Sequence, residues 1–422
     1  MPERSRAQVI QGPLFALMFL AALDIAHMSP YGALWTAPVI LLSAMLIAWA
    51  AESAQFFIAQ GFALAILAWL QTLPEFAVEA VLAWKQQVPL LLANLTGALR
   101  LLTGLGWPMI YATAAFFHKR KYGRPLNEIV LEREHCVEVV GLLVPLIYMT
   151  FVYFKASLDV WDALVLTLIY VAYLFVLSKV PPQEAAGIED LERIPRAIVT
   201  ARPAVRTTAI VGLFLAGGLL IYFTAEPFLG SLLSVSAALG IPSFVFVQWV
   251  APFVSEFPEK VSAFYWARTV DRAPMALMNM VSSNINQWTL LTAMLPILYS
   301  FSRGSLSSIP FDEQQELELL MTLGQSLIGM LFLVNMKLAW WEAVALFSLW
   351  FIQFAFSPVP QGPGVLGFLS IHIHWYVTIA YLGWSAIEII RIFLGRRSHD
   401  AFVHFAGVWR THVRPSGPAA IE

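Results

Sequence analysis

The sequence predicts an all-α polytopic membrane protein, and three observations carry the prediction. Of 422 residues, 59% are hydrophobic and only 12% charged, whereas a soluble domain carries roughly a quarter charged residues. Apolar stretches of about 20 residues, long enough to cross a bilayer as helices, recur along the chain. Lysines and arginines collect in alternate loops, as the positive-inside rule requires.

Taken in order, the apolar stretches fall at about 12–27, 32–50, 55–84, 88–117, 136–154, 158–178, 207–225, 243–268, 274–301, 318–336, 339–357 and 366–394, about 12 transmembrane helices. The first is short and ends in the break His27–Gly32, with Asp24 and His27 at an outer boundary. Residues 231–239 read as a separate interfacial helix, ended by Gly240 and Pro242. With Arg4 and Arg6 in the cytoplasm, the same side receives Lys119, Arg120, Lys121, Arg124, Arg133, Arg268, Arg272 and Lys337. It also receives the basic linker 179–206, read as a solvated loop, and a basic tail resting on anionic lipid. The opposite side gets Lys85, Lys155, Arg303 and the acidic run Asp312–Glu316. Both termini are thus expected in the cytoplasm of a multi-pass protein of the plasma (inner) membrane.

The chain has one cysteine, Cys136, which excludes an internal disulfide framework or a cysteine metal cluster. The absence of a phosphate-binding glycine loop argues against ATP-driven pumping. No cleavable signal is evident, and no zinc triad or activated nucleophile suggests an enzyme. No cofactor and no nucleic-acid partner are expected; the partners are the bilayer and small cations. Oligomeric state is not legible.

The stretch that organises the rest is Gln248–Gln287, above all Ser255-Glu256-Phe257-Pro258-Glu259. Carboxylates at membrane depth cost at least about 2.5 kcal/mol each, so a span that keeps two has work for them. Pro258 cannot donate to the carbonyl of Val254 and so breaks its helix. Leu73-Pro74-Glu75 is followed by Asn94 19 residues after its glutamate, and Phe257-Pro258-Glu259 by Asn279 20 residues after its own. The intervening turns, Lys85–Val88 and Arg268–Ala273, fall on opposite sides in the expected topology. The repeats are therefore inverted, an arrangement that places a ligand site at their shared midplane. The chain divides into a first half, 1–178, with its signature repeat at 55–117, and the linker 179–206. A second half, 207–357, has its repeat at 243–301, and an extra helix and tail occupy 358–422.

These motifs resemble the two signature repeats of the calcium/cation antiporter superfamily, to which sodium/calcium exchangers belong. The resemblance implies an inverted 5+5 transmembrane-helix fold with an additional helix at each end. It implies a secondary antiporter exchanging Ca²⁺ or another inorganic cation for Na⁺ or H⁺ by alternating access. Glu75 and Glu259 become the central metal ligands. Thr72 and Glu256 match hydroxyl positions three residues earlier, preceded by Gln71 and Ser255. Ser283, Asn284 and Gln287 match further oxygen-bearing positions. Ca²⁺ takes six to eight oxygens, so such a mixed set suits it. Glu79, one turn after Glu75, reads as a lining residue or a proton relay. The bland alternative for Glu75 and Glu259 is a structural ion pair.

The first repeat departs from the family pattern at Ala98-Leu99-Arg100-Leu101-Leu102, where oxygen-bearing residues are lost and an arginine appears. Arg100 is too deep to reach either surface, so it is expected to face the acids. It then either sets the site charge as a built-in cation, with Glu256 compensating, or forms an Arg100–Glu256 latch. The latch defines the alternative function, a structural or sensory membrane protein with its ion site locked. In the first case Arg100→Ser is expected to alter ion preference. Asn94, Thr96, Asn279, Ser282 and Asn286 read as packing residues at least as readily as ligands. His372 and His374 fall on different helix faces with no acid nearby in sequence, which makes them a poor metal pair.

Overall fold

The computed structural model describes residues 29–57, 69–180, 188, 191–359, 362 and 364–414. The expected crossing at 12–27, with Asp24 and His27, lies outside these residues, as does the middle of the expected span 55–84. Helix α1 (Ala33–Ala54) is followed by α2 (Leu73–Trp84) and α3 (Val88–Leu101). A π-helical turn, Leu102–Gly106, carries α3 into α4 (Trp107–Tyr122). Strand β1 (Glu128–Val130), α5 (Cys136–Lys155), β2 (Ser157–Leu158) and α6 (Val160–Leu177) follow, and the short α7 (Arg193–Val199) lies in the linker. The second half opens with α8 (Pro203–Leu239), α9 (Ser243–Ser255), α10 (Phe257–Arg268) and α11 (Ala273–Asn286). A second π-helical turn, Gln287–Leu291, leads into α12 (Thr292–Arg303). Strand β3 (Ile309–Pro310), α13 (Glu313–Leu333), β4 (Lys337–Ala339), α14 (Trp340–Phe356), α15 (Val365–Phe393) and α16 (Asp400–Val408) follow.

Among the described residues, seven helical stretches are long and apolar enough to cross a membrane, with α9 and α14 shorter apolar helices. The expected crossing at 243–268 is split at Glu256, and α2 begins after the matching break at Thr72, because each proline sits at the second position of the new helix. A proline costs nothing there, since the N–H it lacks has no intrahelical partner. The two repeats agree in detail. Helices α2 and α10 have 12 residues each, and α3 and α11 have 14 each. The π-helical turns begin eight residues after Asn94 and eight after Asn279.

The repeats also run in opposite directions. Near one end of the bundle the α2–α3 turn meets the end of α12, where Gln86 donates to Ser302 over 2.8 Å, and β2 pairs with β3. At the other end the α10–α11 turn meets the end of α4 through Lys121 and Asp271, 3.3 Å apart, and β1 pairs with β4. Helix α5 joins the two ends, with β1 preceding it and β2 following it.

Three expectations need correction. Residues 231–239 are not a separate helix but the last part of α8, a single helix of 37 residues. Pro227 interrupts it without ending it; the end comes at Gly240, which takes the left-handed φ of +66° that ordinary side chains avoid. Helix α8 lies along α1, fastened by Thr36 to Ser231 at 2.7 Å and by Ser43 to the Gly217 carbonyl at 2.7 Å. The described part of the linker 179–206 is not all solvated loop: α7 packs on α1, and Trp49 donates to Glu192 over 2.9 Å. Nor is the described tail left to lipid. Arg397 is buried between Glu342 at 2.7 Å and Glu388 at 3.0 Å, and α16 packs on α5. Without that guanidinium the buried Glu342 would lose its cation and Glu388 would keep only Arg391, a cost that favours folding the tail inward.

Candidate functional site

The two helix breaks bring the signature acids into one buried cluster. Glu75, Glu79, Glu256 and Glu259 are each at most 2% exposed. The hydroxyl of Ser255, last residue of α9, donates to a carboxylate oxygen of Glu75 in the first turn of α2, directly linking the two repeats. The amide of Asn94 on α3 bridges Glu75 at 2.5 Å and Glu79 at 3.0 Å. Across the interface, Asn286 donates to Thr72 over 2.5 Å and Asn279 to Gln71 over 3.2 Å. Within the second repeat Ser283 donates to Glu259 over 3.2 Å, and Gln287 to Glu256 over 2.7 Å. Ser255 thus holds Glu75 beside the second break, which Glu256 and Glu259 flank, so the three carboxylates share one buried region.

Several oxygens of this cluster face nothing that can donate. Oε1 of Glu259, Oε2 of Glu79 and the side-chain oxygens of Asn94, Asn279 and Asn286 are buried without a hydrogen-bond partner. A buried acceptor normally has a donor, and each unmet one costs about 1–3 kcal/mol. Carboxylate and amide oxygens together are what a hard cation such as Ca²⁺ or Na⁺ binds. Among the described residues no three His, Cys, Asp or Glu side chains are gathered into a ready metal cage.

The sequence-derived set is brought together in large part. Glu75, Glu79, Glu256, Glu259, Thr72, Ser255, Ser283 and Gln287 all join the hydrogen-bonded cluster. Asn284 does not: its amide donates to Thr103 over 2.9 Å, in the π-helical turn of the first repeat. Asn286 and Asn94, left open between packing and ligation, lie inside it.

Arg100 also departs from expectation. It does not pair with Glu256. Its guanidinium lies 2.5 Å from Glu318 on α13, donates to Gln353 over 3.0 Å and to the Thr96 carbonyl over 3.0 Å, and covers the Trp249 ring. Glu318 is further held by Gln248 at 2.9 Å and His374 at 3.0 Å. His374 thus has a partner acid after all, one remote in sequence. This second network involves α3, α9, α13, α14 and α15, and satisfies the arginine away from the signature acids.

Among the described residues, the cation that faces those acids is Lys260, a buried residue whose ammonium lies 2.6 Å from Glu256. The sequence reading passed over it, although its i,i+4 spacing from Glu256 is the usual helical ion-pair spacing. It also passed over Glu52, at the end of α1, which accepts a hydrogen bond from Ser262 one turn beyond Glu259.

The model of the family described as "Sodium/calcium exchanger protein" matches residues 31–179 and 209–358, so both inverted repeats are covered. The chain belongs to that family. The solved structure of the H⁺/Ca²⁺ exchanger CAX is 30% identical, with a TM-score of 0.80 over 94% of this chain and 97% of that one. YfkE shares the fold at 14% identity and a TM-score of 0.57, over 87% of this chain and 99% of that one. The sodium-calcium exchanger NCX_Mj does so at 20% and 0.51, over 77% and 98%. No curated protein matches significantly. Membership makes this chain an exchanger-type integral membrane transporter, in keeping with its apolar helices.

Proposed function

We propose that the protein is a secondary antiporter that exchanges Ca²⁺ or another inorganic cation for H⁺ or Na⁺, with its ion site at the membrane midplane between the inverted repeats. The observation that carries this is the meeting of Glu75 and Glu259 in one buried cluster with bare oxygens on Glu259, Glu79, Asn94, Asn279 and Asn286. Glu75 and Glu259 are the central ligands. Thr72, Ser255, Ser283 and Gln287 supply or orient neutral oxygens, and Asn94 and Asn286 add to them. The end of the bundle carrying Lys119, Arg120, Lys121 and Arg268 faces the cytoplasm of the plasma (inner) membrane. The division into halves 1–178 and 207–357, linker 179–206 and terminal segment 358–422 remains the working domain description. The 30% identity to an H⁺/Ca²⁺ exchanger favours Ca²⁺ as cargo and H⁺ as counter-ion.

The site-locked alternative loses its main support, because the proposed lock, Arg100, is bound to Glu318 and not to Glu256. The test is uptake of radiolabelled Ca²⁺ into proteoliposomes under an imposed pH gradient, an imposed Na⁺ gradient, or neither. Gradient-dependent uptake that Glu75→Gln and Glu259→Gln each abolish supports the reading. The same assay is repeated with labelled Sr²⁺, Mn²⁺, Na⁺ and K⁺; if neither Ca²⁺ nor any of these ions shows gradient-dependent uptake, the reading is overturned.

A further inference from the structure

Glu256 differs from the other acids of the cluster in being paired with a cation; Glu75 also has both oxygens occupied, but by the neutral donors Asn94 and Ser255. One oxygen of Glu256 accepts from Gln287 and the other from Lys260. Glu259 and Glu79 each keep one bare oxygen. The cluster is therefore polarised: one end already holds a positive charge, and the unmet carboxylate oxygens lie elsewhere, on Glu259 and Glu79. Lys260 is well fixed there. It belongs to the first turn of α10, i,i+4 from its partner, and its stem is buried with its head group. With Lys260, the three acids Glu75, Glu256 and Glu259 sum to a formal charge of −2, the charge that one divalent cation neutralises; Glu79 adds a further negative charge beyond Asn94.

We infer that Lys260 is a tethered cation that fills the Glu256 end of the site. The protein thus accepts one divalent ion against Glu75 and Glu259, and excludes a monovalent metal ion from the position beside Glu256. An ammonium at 2.6 Å uses the carboxylate oxygen that an entering Na⁺ would need, and repels an ion placed next to it. Lys260 is thereby a specificity-determining residue: it sets how many ions the site takes, and makes Na⁺ a poor counter-ion. The inference rests on the antiporter reading for what it means in transport, but the occupancy it states can be measured without transport.

The experiment compares wild type, Lys260→Met and Lys260→Arg. Proteoliposome assays follow labelled Ca²⁺ and labelled Na⁺; equilibrium binding of the same ions is measured on the purified, detergent-solubilised protein. Wild type and Lys260→Arg are expected to bind Ca²⁺ with no measurable Na⁺ binding. Lys260→Met is expected to bind Na⁺, and to let Na⁺ compete with Ca²⁺ at least about tenfold more effectively, the change expected when one short-range ion–ion repulsion is removed. A thermal melt confirms that each variant is folded. If folded Lys260→Met gains no Na⁺ binding, the inference is wrong. It is equally wrong if wild type itself binds or exchanges Na⁺. If wild type carries no ion under any gradient, the antiporter reading fails instead, and the binding arm still decides the role of Lys260.

Discussion

Arg100 and Glu318 lie 2.5 Å apart with both side chains essentially inaccessible, one on a site-forming helix and the other on a helix outside the signature repeats. The pair ties α3 to α13, and through Gln353, Gln248 and His374 to α14, α9 and α15. It is a buried ion pair, so removing one partner strands a charge at a cost of about 3–5 kcal/mol. Arg100→Met and Glu318→Leu singly are expected to lower the melting temperature in detergent sharply. The double variant is expected to recover much of the loss, because neither charge is then left alone. Ion preference of whatever Arg100→Met protein remains folded is expected to be unchanged. A change in selectivity with no loss of stability would return Arg100 to the ion site.

Ser255 donates to Glu75 across the repeat interface. A hydrogen bond to a charged group contributes about 1.5–3 kcal/mol. Ser255→Ala frees a Glu75 oxygen without removing a charge from the cluster. The expected outcome is a modest fall in melting temperature and a several-fold change in the apparent Ca²⁺ affinity for uptake. Maximal rate is expected to change less. Thr72→Ala, which leaves the Asn286 amide without its acceptor, is expected to act in the same direction.

Much of this arrangement is legible in the sequence, for physical reasons. Pro74 and Pro258 remove backbone donors at fixed places, so the helix breaks and the acids beside them can be located from local chemistry alone. Asn94 and Asn279 recur at nearly constant spacing because helices of equal length must follow each break. Partner choice among buried charges was not legible. Arg100 and Glu318 are 218 residues apart, and nothing local to Arg100 distinguishes Glu318 from Glu256 as its counter-ion. Lys260 was the exception, since its spacing from Glu256 is local and could have been read. The continuity of α8 through 231–239 was obscured by Pro227 and Gly230, both tolerated within a membrane helix. Asn284 fits the signature by position, yet one residue's turn about the helix axis aims it at Thr103.

The opposed orientation of the repeats gives a labelling prediction. The one cysteine of the chain, Cys136, is buried, so the background is low. Lys85→Cys lies in the α2–α3 turn and loses only an exposed pairing with Glu226, worth about 0–1 kcal/mol. Asp271→Cys lies in the α10–α11 turn. In intact cells a membrane-impermeant maleimide is expected to label Lys85→Cys and spare Asp271→Cys. In inside-out vesicles the result is expected to reverse. Labelling of both from the same side would contradict the inverted arrangement.

Gly97 provides the strictest packing test. A methyl group there would sit 1.9 Å from the carbonyl oxygen of Gln248, so α3 and α9 touch backbone to backbone at this point. Backbone cannot swing aside as a flexible side chain does, and overpacking of this kind costs about 1–3 kcal/mol. The contact lies one helical turn from Asn94 in one direction and from Arg100 in the other. Separating the helices there is expected to disturb both the acid cluster and the Arg100–Glu318 pair. Gly97→Ala is therefore expected to lower the melting temperature and slow Ca²⁺ uptake more than Gly218→Ala, where an added methyl meets open space. Equal behaviour of the two variants would mean that α3 and α9 do not approach this closely in the working protein.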